Sequence, residues 1–443
     1  MNNTQSPINS NWTFNEKFAF RFCFVFFLLY IFPFPVNSIP FSNELLSLNQ
    51  KIAGWFDALL NVYYNFWHGI VSWTGKHVLH LSYSIVTFTN GSGDTTYDYV
   101  LFLIYINISL LAAIIWTLFD RKRNKYTSAL YWLRVLVRYY LAIVLFGYGF
   151  SKVFHVQMPS PSLFQLVQPF GDKSPMGLVW SFVGYSRAYS AFTGWGEIIS
   201  GGLLFFRRTT TFGALFSMVV IGNIAAINFC YDVPVKLYSS TLFIMSVFLA
   251  APDLKRLLNV FILNKTAQPV IFKNFVHKRW QQMAVRCYKA LFIIYAFYSS
   301  ISGSLNGQRE YGDKRILPPL HGIYNTSVFI RNKDTIRPLT TDTTRWKQII
   351  IDFDKSVQIK FMNDKLQWFS FSVDTVQHLV SLNSYDNTIS KSILSYKIDG
   401  SWLTLTGDLF DDSVYIRLNK YDAESFNLMN RGFHWINEYP FNR

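Results

Sequence analysis

The sequence predicts a polytopic α-helical membrane protein of about seven spans, followed by an all-β domain. Three observations carry that prediction. Apolar runs recur between residues 17 and 303, most of them close to the ~20 residues a helix needs to cross a ~30 Å hydrocarbon core. Of 443 residues, 43 are Phe, 26 Tyr and 13 Trp, a load that suits aromatic belts at membrane surfaces. From Gly322 onward the periodicity changes from helical to two: Val357, Ile359 and Phe361 alternate with Ser356, Gln358 and Lys360, the pattern of half-buried strands.

The expected spans are 17–36, 97–119, 131–154, 187–206, 209–231, 236–251 and 284–303, the sixth being short. Around them the chain divides into an N-terminal anchor or signal peptide (1–36), an outer loop (37–96), a transmembrane domain (97–303), a linker (304–321) and the β domain (322–443). The net charge of +15 is uneven: residues 1–303 carry 24 Lys/Arg against 10 Asp/Glu, whereas 304–443 carry 17 against 16. The excess clusters in alternate connections, at Arg121, Lys122, Arg123 and Lys125, at Arg207 and Arg208, and from Lys255 through Lys273 to Arg279. That reads as membrane orientation rather than nucleic-acid binding. Basic connections on the inside place the N-terminus in the cytoplasm of a bacterial inner membrane and the β domain in the periplasm.

In the first span, Lys17 and Arg21 precede an apolar run ending at Pro33 and Pro35. Small residues at Val36-Asn37-Ser38 permit a signal peptide, while the long preamble and bulky Phe content favour an uncleaved anchor. Residues 42–82 read as an interfacial helix, capped by Ser42 with Glu44 in its first turn. Its stripe runs through Leu45, Leu48, Ile52, Trp55, Leu59, Val62, Phe66 and Ile70. His68, His77 and His80 lie on this helix, as ligands or as its polar edge. Before the second span, Asp94 or Thr96 supplies a cap and Asp98 favours the positive end of the helix dipole. Capping is the favoured reading of this segment, with a proton or substrate contact by Asp98 on the periplasmic side as the alternative. Cys23, Cys230 and Cys287 form no CxxC and require neither a disulfide nor a metal.

The chemistry-bearing residues lie in the middle spans. Glu197 sits halfway along 187–206, and an intramembrane acid is a functional-site hypothesis, with a helix–helix anchor as its alternative. Tyr148, Lys152 and His155 follow i, i+4, i+7 spacing at the end of the third span. Arg187 opens the fourth span; Asn223 and Asn228 lie in the fifth; Asp232 and Lys236 flank the turn to the sixth. The topology puts Lys152, His155, Arg187, Asp232 and Lys236 at outer ends, with Glu197 and Asn223 deeper. A polar funnel ending in a carboxylate would serve proton transfer or a quinone headgroup.

Some of these residues also carry a family resemblance. Gly147-Tyr148-Gly149-Phe150-Ser151-Lys152, Gly196-Glu197-Ile198-Ile199-Ser200-Gly201-Gly202-Leu203-Leu204, Arg207-Arg208 and Gly213-Ala214-Leu215 make residues 131–258 resemble the DoxX-like family, a four-helix membrane module. The resemblance implies a membrane subunit of a quinone-linked oxidoreductase, with Lys152 and Glu197 carried over as polar residues of the module. The whole-chain layout is similar to membrane proteins of Bacteroidetes-type bacteria without an assigned activity. The added outer loop and C-terminal domain depart from the simple module.

In the β domain, strands are expected at 323–331, 346–353, 355–362, 366–373, 375–382, 391–398, 401–406 and 412–420, with turns at Asn363-Asp364 and Asp399-Gly400. Eight short sequential strands suggest an up-and-down barrel of lipocalin-like type, with a sandwich as the alternative. Trp368, Phe369, Phe371 and Trp402 are candidates for its core or for a ligand site. The aromatic tail 431–443 is expected to dock, either plugging the barrel or packing on the helices.

The sequence contains no metal, haem or nucleotide motif, so redox chemistry would need a bound quinone or a redox partner protein. The leading expectation is an integral-membrane component of a quinone-linked redox system, which leaves open whether the chain is itself an enzyme. Glu197 would handle protons, and Lys152 with Asp232 would position the headgroup. The alternatives are a non-enzymatic envelope scaffold or small-ligand-binding protein and, more weakly, a proton-coupled transporter.

Overall fold

A computed structural model describes residues 12–42, 46, 48–88, 90–267, 269–270, 278–384 and 392–442. The chain forms two compact units, one of residues 1–157 with 188–306, the other of 158–187 with 307–443.

The first unit is helical. Its helices are α1 (Phe14–Ile31), α2 (Gln50–His77), α3 (Thr96–Phe119) and α4 (Thr127–Val153). The second unit contributes α5 (Leu163–Val167) and α6 (Pro175–Tyr185). The first unit resumes with α7 (Arg187–Leu204), α8 (Thr210–Cys230), α9 (Lys236–Ala250), α10 (Leu254–Phe261) and α11 (Arg279–Glu310). Each of the seven expected spans overlaps a helix, although the first ends at Ile31 rather than at residue 36. Four stretches are long and apolar enough to cross a membrane: 96–119, 127–153, 210–230 and 236–261. The sixth span is longer than its apolar run suggested, because α9 continues through a 3-10 turn into α10.

α1 begins at a capping box formed by Thr13 and Glu16 and buries Phe20, Phe26, Phe27 and Ile31. Arg21 is buried beside them yet fully engaged. It donates to the Tyr126 hydroxyl at 2.6 Å, the Thr117 hydroxyl at 2.7 Å and the Asp120 carbonyl at 2.9 Å. The guanidinium is tolerated because its donors find partners.

Two sequence expectations need correction here, the start of the outer helix and the cap of α3. The outer helix starts at Gln50, not Ser42: the Asn49 side chain accepts from the Lys51 and Ile52 amides, while Glu44 and Leu45 lie outside the described residues. Its stripe of Ile52, Trp55, Leu59, Val62 and Phe66 is exposed, and the neighbouring face, with Trp67 and Val71, is buried. At α3 the cap is Thr95, with Asp98 accepting from the Thr95 amide and hydroxyl in a capping box. Asp94 instead caps α9, accepting from the Lys236 amide at 2.8 Å and the Leu237 amide at 2.9 Å.

The second unit is built on a closed antiparallel barrel. Its strands are β1 (Gly322–Arg331), β2 (Asp334–Thr335), β3 (Trp346–Ile351), β4 (Ser356–Phe361), β5 (Leu366–Asp374), β6 (Leu379–Ser384), β7 (Ser392–Asp399), β8 (Trp402–Leu409) and β9 (Asp412–Tyr421). β2 is a short flap on the end of β1. The other eight pair in sequence order, and β1 pairs with β9 to close the ring. Closure removes the exposed strand edges a sandwich would retain. Gly400, at φ +58°, turns the β7–β8 hairpin where Asp399 pairs with Trp402.

Alternation decides what fills the barrel. Phe329, Ile349, Ile359, Leu382, Leu405 and Ile416 are among the buried side chains of a single apolar cluster. Phe369 and Phe371 join it, but Trp368 and Trp402 do not: Trp368 is 42% exposed, and Trp402 lies under the Arg417 guanidinium at 4.3 Å. Both tryptophans have the opposite strand parity to the core residues beside them. The tail is held at its start, where the Tyr185 hydroxyl donates to the Arg431 carbonyl at 2.8 Å, but its aromatic side chains do not plug the barrel. Phe433, Trp435, Ile436 and Tyr439 are each more than three-quarters exposed, while Arg431 folds back over the Phe441 ring at 4.2 Å.

Residues 158–187, read from sequence as a connection between spans, cluster with the barrel. Leu163 and Phe164 bury against Ile323 and Ile350. Two aspartates fasten this segment. Asp313 accepts from the Ser160 amide at 3.0 Å and pairs with Arg187 at 2.9 Å, holding both ends. Asp352, 1% exposed, accepts from the Leu163 amide at 2.7 Å and pairs with Arg315 and His321.

Carboxylates at the barrel surface set its pH response. Hydrogen bonds from Arg331 and Asn332 hold the Asp412 carboxyl below its usual range. The Lys347 ammonium, 2.6 Å away, and then Lys360 do the same for Asp364. Unfolded carboxyls titrate near ~3.9. The folded values lie lower, so this contribution is fully present above that pH and is lost as pH falls through the folded values. The urea midpoint of the β-sheet signal is therefore expected to be level from neutral pH to about 5 and to drop below about 4. Asp412→Asn should flatten part of that drop; an identical acid limb in the variant would contradict the assignment.

Candidate functional site: a buried lysine–glutamate pair at a glycine crossing

The site is set by backbone contact between α4 and α7. A Cβ on Gly194 would lie 2.5 Å from the Gly149 carbonyl oxygen, and one on Gly149 would lie 2.8 Å from the Gly194 carbonyl oxygen. Two turns further along, a Cβ on Gly201 would lie 3.0 Å from the Ala142 carbonyl. Small residues at these positions let two helices touch through their backbones.

This crossing brings Lys152, from the last turn of α4, onto Glu197, in the middle of α7. Their side chains form an ion pair between Nζ and Oε1. Glu197 is 1% exposed and Lys152 7%. The backbone carbonyls of both residues are held as well: Ser190 Oγ donates to the Lys152 carbonyl and Ser200 Oγ to the Glu197 carbonyl, each at 2.9 Å. Glu197 Oε2 is buried and has no hydrogen-bond partner among the described residues. A carboxylate normally accepts at both oxygens, so Oε2 retains the capacity to take a proton or a donor.

The remaining sequence candidates divide. His155 is buried just beyond the end of α4, where its amide donates to the Lys152 carbonyl at 3.0 Å and its backbone turns to φ +57°. It therefore adjoins Lys152 but does not continue the helical face. Tyr148, one turn before Lys152, is 41% exposed. Asn228 is buried and donates to the Ser239 hydroxyl at 3.0 Å, tying α8 to α9. Asn223 is exposed; five residues at ~100° each put it about 140° around α8 from Asn228. Asp232 is largely exposed and pairs with Lys236 at 2.8 Å, and Lys236 also lies 3.7 Å from Asp94. Arg187 belongs to the barrel unit through Asp313. Asp98 is committed to its capping box. These contacts join Glu197, Lys152 and His155, and pair Asp232 with Lys236.

Sequence reasoning missed Asp94, Asp313 and Asp352 as fasteners, because the amides they hold are distant in sequence: 142 residues from Asp94 to Lys236, 153 from Asp313 to Ser160 and 189 from Asp352 to Leu163. Cys23, Cys230 and Cys287 are not in disulfides. Among the described residues, no group of three or more His, Cys, Asp or Glu comes together that could hold a metal ion.

Four membrane-length helices with a buried ion pair and a closed eight-stranded barrel define a multi-pass membrane protein with an appended β domain. Over 133 residues, 28% of this chain, the sequence is 32% identical to the uncharacterized protein YwoB of Bacillus subtilis (strain 168). The match covers 79% of that protein, and through this segment the chain belongs to the YwoB family. No family model matches the chain, and no solved structure matches it.

Proposed function

We propose that the chain is an integral component of a quinone-linked redox system in a bacterial inner membrane, with Glu197 as its proton-exchanging group. The observation that carries this reading is the buried carboxylate with one oxygen on Lys152 and the other without a partner. Burying a charged pair in an apolar bundle costs several kcal/mol per ion before their attraction offsets it, and such groups in membranes mark proton or substrate paths. A quinol that bound beside Oε2 would give one of its two hydroxyl protons to that oxygen and the other to solvent, as its two electrons pass to a redox partner protein. Lys152 would fix the carboxylate and balance its charge. Asp232 has no part in this version, since its exposed carboxylate is paired with Lys236.

In this proposal residues 131–258 form a DoxX-like module, the chain crosses the membrane seven times with a cytoplasmic N-terminus, and the lipocalin-like barrel lies in the periplasm. The basic connections support that orientation. The packing of α1 and the burial of Arg21 support an anchor that is retained. The alternative of a small-ligand carrier loses weight because side chains fill the barrel; a scaffolding role for that domain does not require a lumen.

The test is to purify the full chain in mild detergent, extract quinone and quantify it by mass spectrometry. Near-stoichiometric quinone is expected in wild type, with strong depletion in Glu197→Gln and Lys152→Ala. Absence of quinone from folded wild type, or equal quinone in folded Glu197→Gln, would sink the proposal.

A further inference from the structure

Arg134, Arg138, Arg207, Arg208 and Arg256 line one cavity of about 940 Å³ in the helical unit, away from the Lys152–Glu197 pair in sequence and lining. Asp253 is the single carboxylate among its lining residues, and it is already engaged. It accepts from Arg256 at 2.8 Å and from the Thr211 hydroxyl at 2.5 Å, and it lies 4.0 Å from Arg134. The following stretch, 254–279, contains no acidic residue.

Arg138 is the informative member. It sits about three turns inside α4 and is 7% exposed. Its contacts are a hydrogen bond to the Thr210 hydroxyl at 3.1 Å and the face of Tyr139 at 5.2 Å. Its Nε, like that of Arg134, is buried without a hydrogen-bond partner among the described residues. A basic loop that only sets membrane orientation keeps its arginines in water. A guanidinium this deep, with no carboxylate, is an incomplete site. The rest of the wall is apolar, with Phe212, Leu215, Leu257 and Val260 beside the arginines.

We propose that this cavity binds the phosphate headgroup of an anionic membrane lipid, with a hydrocarbon chain along the apolar wall. Guanidinium groups pair with phosphate oxygens through forked hydrogen bonds, and basic pockets between membrane helices suit anionic headgroups. A soluble phosphate compound shares the headgroup chemistry but would leave the apolar wall unused.

The experiment follows thermal unfolding of the full-length protein in a neutral detergent, with added phosphatidic acid, phosphatidylcholine or inorganic phosphate. Phosphatidic acid is expected to raise the unfolding midpoint, the other two to leave it unchanged. Arg138→Gln should weaken the apparent affinity for phosphatidic acid about tenfold, the loss of one charged hydrogen-bonding group. Where Arg138→Gln does not yield folded protein, Arg208→Gln, at an exposed position of the same wall, is expected to weaken it in the same direction. An equal shift with phosphatidylcholine, or an undiminished shift in the folded variants, overturns the site. A shift reproduced by inorganic phosphate alone overturns the lipid as its occupant.

Discussion

Gly194→Ala is expected to lower the unfolding midpoint of the helical unit, although alanine is the better helix former by about 1 kcal/mol. The new Cβ would stand 2.5 Å from the Gly149 carbonyl oxygen and 3.0 Å from both Lys152 Cβ and Val153 Cγ2. The closest obstacle is backbone, so the helices must separate rather than a side chain rotate. Overpacking of this kind costs about 1–3 kcal/mol, which exceeds the propensity gain over most of its range. Separation at Gly194 also pulls Lys152 from Glu197, so quinone retention should fall with stability. Gly147→Ala is the control: it lies two residues from Gly149 on the same helix, and a Cβ there meets nothing within 4 Å. It is expected to match or exceed wild type. A Gly194→Ala protein as stable as Gly147→Ala in the same detergent would show that the crossing is looser than described.

Asp352→Ala is expected to destabilise the barrel unit by about 3 kcal/mol, at the low end for breaking a buried pair. The low end applies because the Arg315 side chain keeps 17% of its exposure, so water recovers part of its charge. The substitution also leaves the Leu163 amide without its acceptor and releases the grip on His321. Loss of that acceptor should free α5 from the barrel surface, exposing Ile323 and Ile350. Hydrogen exchange read by mass spectrometry would show faster exchange at 160–168 and along β1 and β3, with the helical unit unaffected. Unchanged exchange in these segments would rule out the fastening role. A fragment starting near residue 320 would likewise expose an apolar strip that residues 158–187 cover in the intact unit.

The sequence by itself determined the elements whose pattern is local. Alternation along 412–420 and 355–362 located β9 and β4 to within a residue or so, since strand side chains repeat every two residues and the interior must be apolar. Asp399-Gly400 gave the hairpin, because Gly accepts positive φ there. Apolar runs located the helices, and the acid at 197 drew attention through its surroundings alone. Tertiary structure decided everything that joins distant residues. Helical spacing could not say which face of α8 is buried: Asn223, read as the deeper of the two asparagines, is turned outward, and packing buries Asn228 instead. Asp94 read as a local cap, yet it caps α9, since which amides it meets depends on how two loops pack. The glycines of α4 and α7 announced close packing but not their partner. Only the crossing at Gly149 and Gly194 shows that Lys152 and Glu197 meet, because a contact between helices depends on both surfaces at once.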